Sequence, residues 1–122
     1  VNLSPVASVF GSVNGNSVTQ TEGSVTLCEG EPVLLNCTYQ TTGYPTLFWY
    51  VQYGSQAPRL FLRESSKRHR RGFSAKLEKR SKSFPLEKNS SKVSNSAAYY
   101  CAMRDTASKV TWGAIRVRPI KG

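Results

Sequence analysis

Short runs of β-favouring residues alternate with turn-rich segments along most of the chain. The runs include SVTQT, PVLLNCTY, LFWYVQY and AAYYCAM, and the segments between them include NGNS, CEGEP, TTGYP and YGSQAP. No ten-residue stretch keeps a helical period of apolar residues without interruption by Gly, Pro or β-branched residues. Because many short strands separated by turn signals are typical of sandwiches and barrels, the pattern predicts an all-β fold.

The run LFWYVQY is apolar or aromatic on both of its faces. Successive side chains of a strand point to opposite faces. One face therefore carries Leu47, Trp49 and Val51, and the other carries Phe48, Tyr50 and Gln52. If Trp49 faces the core, the second face needs a cover of its own, either from the chain's loops or from a partner.

Length limits the chain of 122 residues to one domain with one core. We expect the domain over residues 16–122 and a tail or leader remnant over residues 1–15, where a basic start and a full apolar segment are missing. No apolar run approaches the 18 to 20 residues that span a membrane. Any membrane contact is therefore expected through regions outside this sequence.

Three cysteines, at Cys28, Cys37 and Cys101, accompany three glycosylation sequons at Asn2, Asn36 and Asn89. Together they favour a secreted or cell-surface setting. Because the number is odd, one cysteine is either a free thiol or bonded to another chain.

Positive charge is concentrated in the second half of the chain. The formal net charge is +10, and residues 1–58 contain no Lys or Arg. The densest basic run is RESSKRHRR, residues 63–71. It is interpreted either as a solvated loop or as a surface for a polyanion. Nucleic-acid binding is not expected, because no recognised module accompanies the run.

The spacing of four residues resembles that of immunoglobulin domains. Trp49 follows Cys37 by twelve positions, Cys101 follows Cys37 by sixty-four, and Tyr99 lies two residues before Cys101. In that fold a disulfide joins two sheets, an indole packs on it and the tyrosine bonds main chain. The resemblance implies a Cys37–Cys101 bond, and a zinc or redox pair lacks both CxxC spacing and histidines other than His69.

Five segments resemble, in order, the framework of a T-cell receptor variable domain of the alpha/delta type, and most of all an alpha chain. They are NSVTQTEGSVTL, LNCTYQTTGYPTLFWYVQY, RGFSAKLEK, SFPLEK and SAAYYCAMR, and WGA at residues 112–114 resembles the start of a joining segment. An antibody light chain is the nearest alternative, but the segments FWYVQY and GFSAKLEK do not fit its pattern well. The resemblance implies a V-type, two-sheet Greek-key sandwich with one inter-sheet disulfide.

The resemblance also implies two sets of functional residues. A second variable domain would pack on the outer face of the Trp49 strand, through Tyr50, Gln52, Pro58, Tyr100 and Trp112. Antigen would be met by three hypervariable loops, namely residues 40–46, residues 64–71 and the segment between Cys101 and Trp112 whose body is 103–109. The expected contact residues are Thr41, Thr42, Gly43, Tyr44, Ser66, Lys67, Arg68, Arg104, Asp105, Thr106, Ala107 and Ser108.

Four positions depart from the family pattern. Asn95 stands where an acid is usual, so a hydrogen bond rather than a salt bridge is expected there. Pro85 lies between Phe84 and Leu86, which should face the core, so strand pairing should fray or bulge. Ile115 replaces the second glycine of the joining motif, so the bulge expected there must be built differently. Cys28 lies in a turn where a small polar residue would be expected.

No enzyme is predicted, because one histidine and no phosphate loop or acid pair leave nothing for a catalytic, metal or cofactor site. The predicted function is antigen recognition at the cell surface, paired with a beta or a delta/gamma-type variable domain, with peptide on a major histocompatibility molecule or a related molecule as ligand. The isolated chain is expected to form a weak homodimer. The alternatives are an unpaired V-type receptor and a polyanion-binding surface module.

Overall fold

The structure is a computed structural model, and it consists of strands with one short 3₁₀ turn in the part of the chain that it describes. That part comprises residues 8–13, 16–20, 23–41, 43, 45–64, 69–104 and 110–121. The strands are β1 (Ser8–Val13), β2 (Asn16–Gln20), β3 (Ser24–Cys28), β4 (Val33–Leu35), β5 (Thr38–Gln40), β6 (Thr46–Gln52), β7 (Arg59–Arg63), β8 (His69–Arg70), β9 (Phe73–Ala75), β10 (Leu86–Lys88), β11 (Ala97–Arg104) and β12 (Val110–Ile120), with the 3₁₀ turn at Val93–Asn95.

Two larger sheets form a sandwich, and a smaller sheet adjoins them. The strand orders are β3-β12-β11-β6-β7 in the five-stranded sheet, β4-β10-β9-β8 in the four-stranded sheet and β1-β2-β5 in the three-stranded sheet. Every named pairing is antiparallel except that of β3 with β12. The predicted all-β sandwich is confirmed.

The core lies between the two larger sheets and is closed by a disulfide. Cys37 and Cys101 are bonded, as the sequence predicted. Trp49 is fully buried directly opposite Cys101 in the β6–β11 ladder. Its indole Nε1 donates a hydrogen bond of 3.0 Å to the carbonyl of Phe84, which precedes β10 in the other sheet. Covalent and polar links therefore join the sheets at the same level of the core.

The tyrosine before the second cysteine fixes the turn into β11. The hydroxyl of Tyr99 donates a hydrogen bond of 2.7 Å to the carbonyl of Asn95 within the core. Asn95 Oδ1 accepts from the backbone N–H of Lys92 at 2.7 Å and from Lys88 Nζ at 3.2 Å. The expected hydrogen bond at this position is thus present, and a neutral amide takes the place of the usual acid.

Pro85 delays the start of a strand, as expected, without displacing the core. Phe84 and Leu86 are both fully buried, and β10 begins only at Leu86. The N–H of Phe84 donates to the carbonyl of Cys37 at 2.7 Å. Because proline has no N–H to give, the regular ladder starts one residue later.

The expectation of a rebuilt bulge at Ile115 is wrong. The β11–β12 ladder runs from Ala97↔Val117 to Arg104↔Val110 without a change of register. Ile115 lies opposite Tyr99, and only 1% of it is exposed. An isoleucine that fills the core at this position favours regular pairing, which a glycine would not.

The amino-terminal segment differs from the tail that was expected over residues 1–15. Ser8–Val13 forms β1, which pairs antiparallel with β2. β1 also contacts β12. The division of the chain at residue 15 stays a prediction.

Candidate functional site

The predicted partner-facing side chains meet on the outer face of the five-stranded sheet. Tyr50 and Tyr100 are direct neighbours across the β6–β11 ladder. The rings of Tyr100 and Trp112 lie 6.1 Å apart, and 53% of Trp112 is exposed. We call Tyr50, Tyr100 and Trp112 the aromatic face. Alternation along β6 and β11 puts Tyr50 and Tyr100 outward because Trp49 and Cys101 point inward, and Trp112 lies on the same face in β12.

Gln52 is held against this aromatic face by two hydrogen bonds. Its Oε1 accepts from the Tyr100 hydroxyl at 2.7 Å. Its Nε2 donates to the carbonyl of Gln56 at 3.0 Å. Pro58 is exposed in the loop that joins β6 to β7, which begins directly after Gln52. All five predicted partner-facing residues are therefore described, and four of them are linked by direct contacts or strand pairing.

Phe48 shares the outer face but is not open to a partner. Only 8% of it is exposed, because the guanidinium groups of Arg63 and Arg104 cover its ring. Their Cζ atoms lie 5.9 Å and 5.3 Å from the ring centroid. The cover that the sequence required for this residue comes from the chain itself, and cation–π attraction contributes to holding it there.

The bases of the three predicted hypervariable loops lie at one end of the sandwich. Arg104, at the end of β11, pairs with Thr46 at the start of β6 and with Val110 at the start of β12. The N–H of Glu64 donates to the carbonyl of Leu47 at 3.1 Å, which brings the second loop to the same end. These contacts therefore bring the bases of the three loops to the same end of the sandwich.

Within those loops, the structure describes only part of the predicted antigen contacts. The Oγ1 of Thr41 accepts a hydrogen bond of 3.1 Å from the N–H of Gly43, which closes a small turn in the first loop. Arg104 is exposed at the loop end of β11. The other predicted contacts lie outside the described residues: Thr42, Tyr44, Ser66, Lys67, Arg68, Asp105, Thr106, Ala107 and Ser108.

Six residues assigned to loops lie in strands instead: Gln40 in β5, Thr46 in β6, His69 and Arg70 in β8, and Met103 and Arg104 in β11. Met103 is 1% exposed in β11 and belongs to the core, so its assignment to the body of the third loop is wrong. Arg70 lies in β8, where its Nη1 donates to the carbonyl of Leu60 at 3.1 Å and its Cζ lies 5.7 Å from the Phe61 ring centroid. The basic run is therefore in part structural, and Arg70 is not a freely solvated loop residue.

Other candidate chemistry is sparse in the described part of the chain. No group of three or more His, Cys, Asp or Glu residues there is arranged to hold a metal ion. Among the residues that the structure describes, there is no helix long and apolar enough to cross a membrane. Cys28 is a free, exposed thiol, and the sequon residues Asn36 and Asn89 are exposed while Asn2 lies outside the described residues.

Comparison with known proteins agrees with this geometry. Residues 20–118 match the model of the immunoglobulin V-set domain. The chain is 51% identical to the T-cell receptor alpha chain V region CTL-F3 of Mus musculus, over 87% of this chain and 85% of that one. It is 48% identical to T cell receptor alpha variable 9-1 of Homo sapiens, over 78% and 88% of the two chains. It is 50% identical to the T-cell receptor alpha chain V region RL-5 of Oryctolagus cuniculus, over 82% and 78%.

Proposed function

The chain belongs to the immunoglobulin V-set and, within it, to the T-cell receptor alpha variable regions, and from this membership we propose that the aromatic face with Gln52 is its pairing surface and that the converged loops bind a presented antigen. As an antigen-recognition variable domain of this family, it pairs with the variable domain of another receptor chain. The finer assignments are a beta or a delta/gamma-type partner, and a peptide–MHC complex or a related presenting molecule as ligand.

The observation that carries the proposal is the exposure of connected aromatic side chains on a regular sheet. Trp112 exposes 53% of its surface beside Tyr100, and Tyr50 adjoins Tyr100 on the next strand. Aromatic residues are enriched in the centres of protein interfaces, and monomeric proteins rarely leave such patches uncovered. Loops at one end of the same sandwich would then lie beside the loops of the partner.

Membership of this family supports recognition rather than catalysis and an extracellular position at the plasma membrane. Among the described residues, Arg104 and Arg71 are exposed basic side chains in or next to the predicted loops. Acidic side chains on the presenting molecule would complement that charge.

Co-expression with separate beta and delta variable domains tests the proposal. We expect a one-to-one complex with at least one class, isolated by size-exclusion chromatography, and binding of that complex to multimers of a presenting molecule. A chain that stays unpaired with every class would favour an unpaired receptor. Salt-sensitive retention on heparin that survives pairing would favour the polyanion-binding module.

A further inference from the structure

A cleft of about 460 Å³ opens on the outer face of the five-stranded sheet, next to the loop end. It lies where β6, β7, β11 and β12 meet. Its walls include Phe48, Tyr50, Leu60, Arg63, Arg104 and Trp112. We call it the arginine cleft. It shares Tyr50 and Trp112 with the aromatic face, so it is continuous with the proposed pairing surface.

Two positive charges line this cleft without a counter-charge among the described residues. Arg63 and Arg104 each lie over the ring of Phe48. No salt bridge joins either of them to an acid in the part of the chain that the structure describes. Arg104 is exposed and Arg63 is partly exposed, so both guanidinium groups lie at the surface of the cleft.

Two apolar residues of the cleft are well exposed. Trp112 and Val110 expose 53% and 54% of their surfaces. A partner that covers this region removes water from both guanidinium groups. Removing a charge from water is costly unless an opposite charge with good hydrogen-bond geometry replaces the water. The planar guanidinium fork matches a carboxylate, which it can bind through two parallel hydrogen bonds.

We propose that the arginine cleft receives an acidic side chain of the partner variable domain, together with an apolar neighbour that packs against Trp112. This inference rests on the proposed pairing and specifies its chemistry. Arg63 ends β7, whereas Arg104 ends β11 at the base of the predicted third hypervariable loop. The pairing preference of this chain is thus set in part by the residue at the base of its third loop, and it favours partners that carry an acid opposite the cleft.

Charge-neutralising variants in a reconstituted complex test the proposal. The probe is one beta-type variable domain that the wild-type chain binds, and the variants are Arg63→Gln and Arg104→Gln. The control is Arg118→Gln, an exposed arginine on the same face of β12 as Trp112 but outside the cleft. We expect each cleft variant to weaken association about tenfold and to reduce its salt dependence. The control should change association by no more than about twofold.

A double-mutant cycle identifies the acid. Each acidic residue on the pairing face of the beta-type domain is replaced by its amide and combined with Arg63→Gln. One acid should show a coupling of about fivefold or more, because residues in one ion-pair network are not additive. A complex that forms normally, while both cleft variants behave like Arg118→Gln, would overturn the inference and leave the pairing intact.

Failure of the wild-type chain to pair at all would overturn the pairing itself and, with it, this inference. The chain's own Asp105 is one candidate counter-charge, and it lies outside the described residues. Coupling of Arg63→Gln to Asp105→Asn in the thermal stability of the isolated chain, with no coupling across the complex, would assign the carboxylate to this chain and contradict the proposal.

Discussion

The hydroxyl of Tyr100 donates a 2.7 Å hydrogen bond to Oε1 of Gln52, across the ladder that joins β11 to β6. The Gln52 amide donates to the carbonyl of Gln56 at the other end of the side chain. An amide side chain has two N–H donors and two acceptor lone pairs. One of each therefore remains for a partner, and Gln52 is held in position before that partner binds.

The first prediction concerns this prepared glutamine. Gln52→Ala should weaken pairing with a second variable domain by about 1 kcal/mol, since a neutral hydrogen bond contributes little net free energy. Tyr100→Phe should weaken it less, because it removes only the bond that positions Gln52. Titration calorimetry of both variants measures the two losses. A larger loss for Tyr100→Phe would mean that the Tyr100 hydroxyl itself contacts the partner.

The second prediction concerns the aromatic face. Trp112→Ala and Tyr50→Ala should each weaken pairing by about 2 kcal/mol, because central aromatics dominate interface energies. The isolated chain should form a weak two-fold homodimer through the same residues, detected by sedimentation. Leu34→Ala is the control, since Leu34 is 57% exposed on the other sheet. The prediction is wrong if the isolated chain is strictly monomeric and both aromatic variants still bind the partner as the wild type does. The aromatic face would then not be the pairing surface.

The framework could be predicted from the sequence because several signals specify the same residues. Strand alternation, cysteine spacing and the tyrosine two residues before the second cysteine all place Trp49, Tyr99 and Cys101 in the core. Each is at or near 0% exposure in the structure. The outward position of Tyr50 and Trp112 follows from the same alternation.

The positions that sequence reasoning missed depend on pairing between distant segments. β8 is only two residues long, too short to carry an alternation signal, and it exists because Arg70 pairs with Phe73. Met103 resembles a loop residue by its distance from Cys101, yet β11 continues because β6 and β12 both pair with it to Arg104. Arg63 of β7 and Arg104 of β11 likewise both lie over the ring of Phe48, and no local sequence pattern predicts this contact.

The third prediction tests the structural role of Arg70. Arg70→Ser should lower the free energy of unfolding by about 1 kcal/mol, because it removes the bond to the Leu60 carbonyl and the packing on Phe61. Arg80→Ser, at an exposed position in a turn, is the matched control and should be nearly neutral. Denaturant unfolding gives both values. Equal free energies of unfolding for the two variants would mean that the contacts of Arg70 do not stabilise the fold.

The fourth prediction concerns alkaline pH. Burial, with a smaller contribution from Tyr53, raises the pKa of Tyr99 well above its ordinary value of about 10. Above a pH of about 10, the ordinary phenol pKa, the unfolded chain releases the phenolic proton while the folded chain keeps it. The unfolded state then binds fewer protons, so stability falls as pH rises.

Tyr99→Phe isolates this contribution. The variant should lose about 1 to 2 kcal/mol at neutral pH, because the Asn95 carbonyl loses its donor. It should then lose less stability than the wild type between pH 9 and pH 11, a range chosen around the ordinary phenol pKa of about 10. Parallel slopes for Tyr99→Phe and the wild type would contradict a buried, protonated Tyr99.

The last prediction concerns Ile115, where the family pattern has glycine and this chain has a core residue. Ile115→Gly should lower the free energy of unfolding by about 4 kcal/mol, because it leaves a cavity opposite Tyr99 and adds the backbone entropy of glycine within a strand. Ile115→Val, which removes one methylene group, should cost about 1 kcal/mol. Unfolding followed by the fluorescence of buried Trp49 measures both. A loss for Ile115→Gly no larger than that for Ile115→Val would mean that the β11–β12 ladder rebuilds with a bulge at residue 115, and that the regular pairing does not depend on the isoleucine.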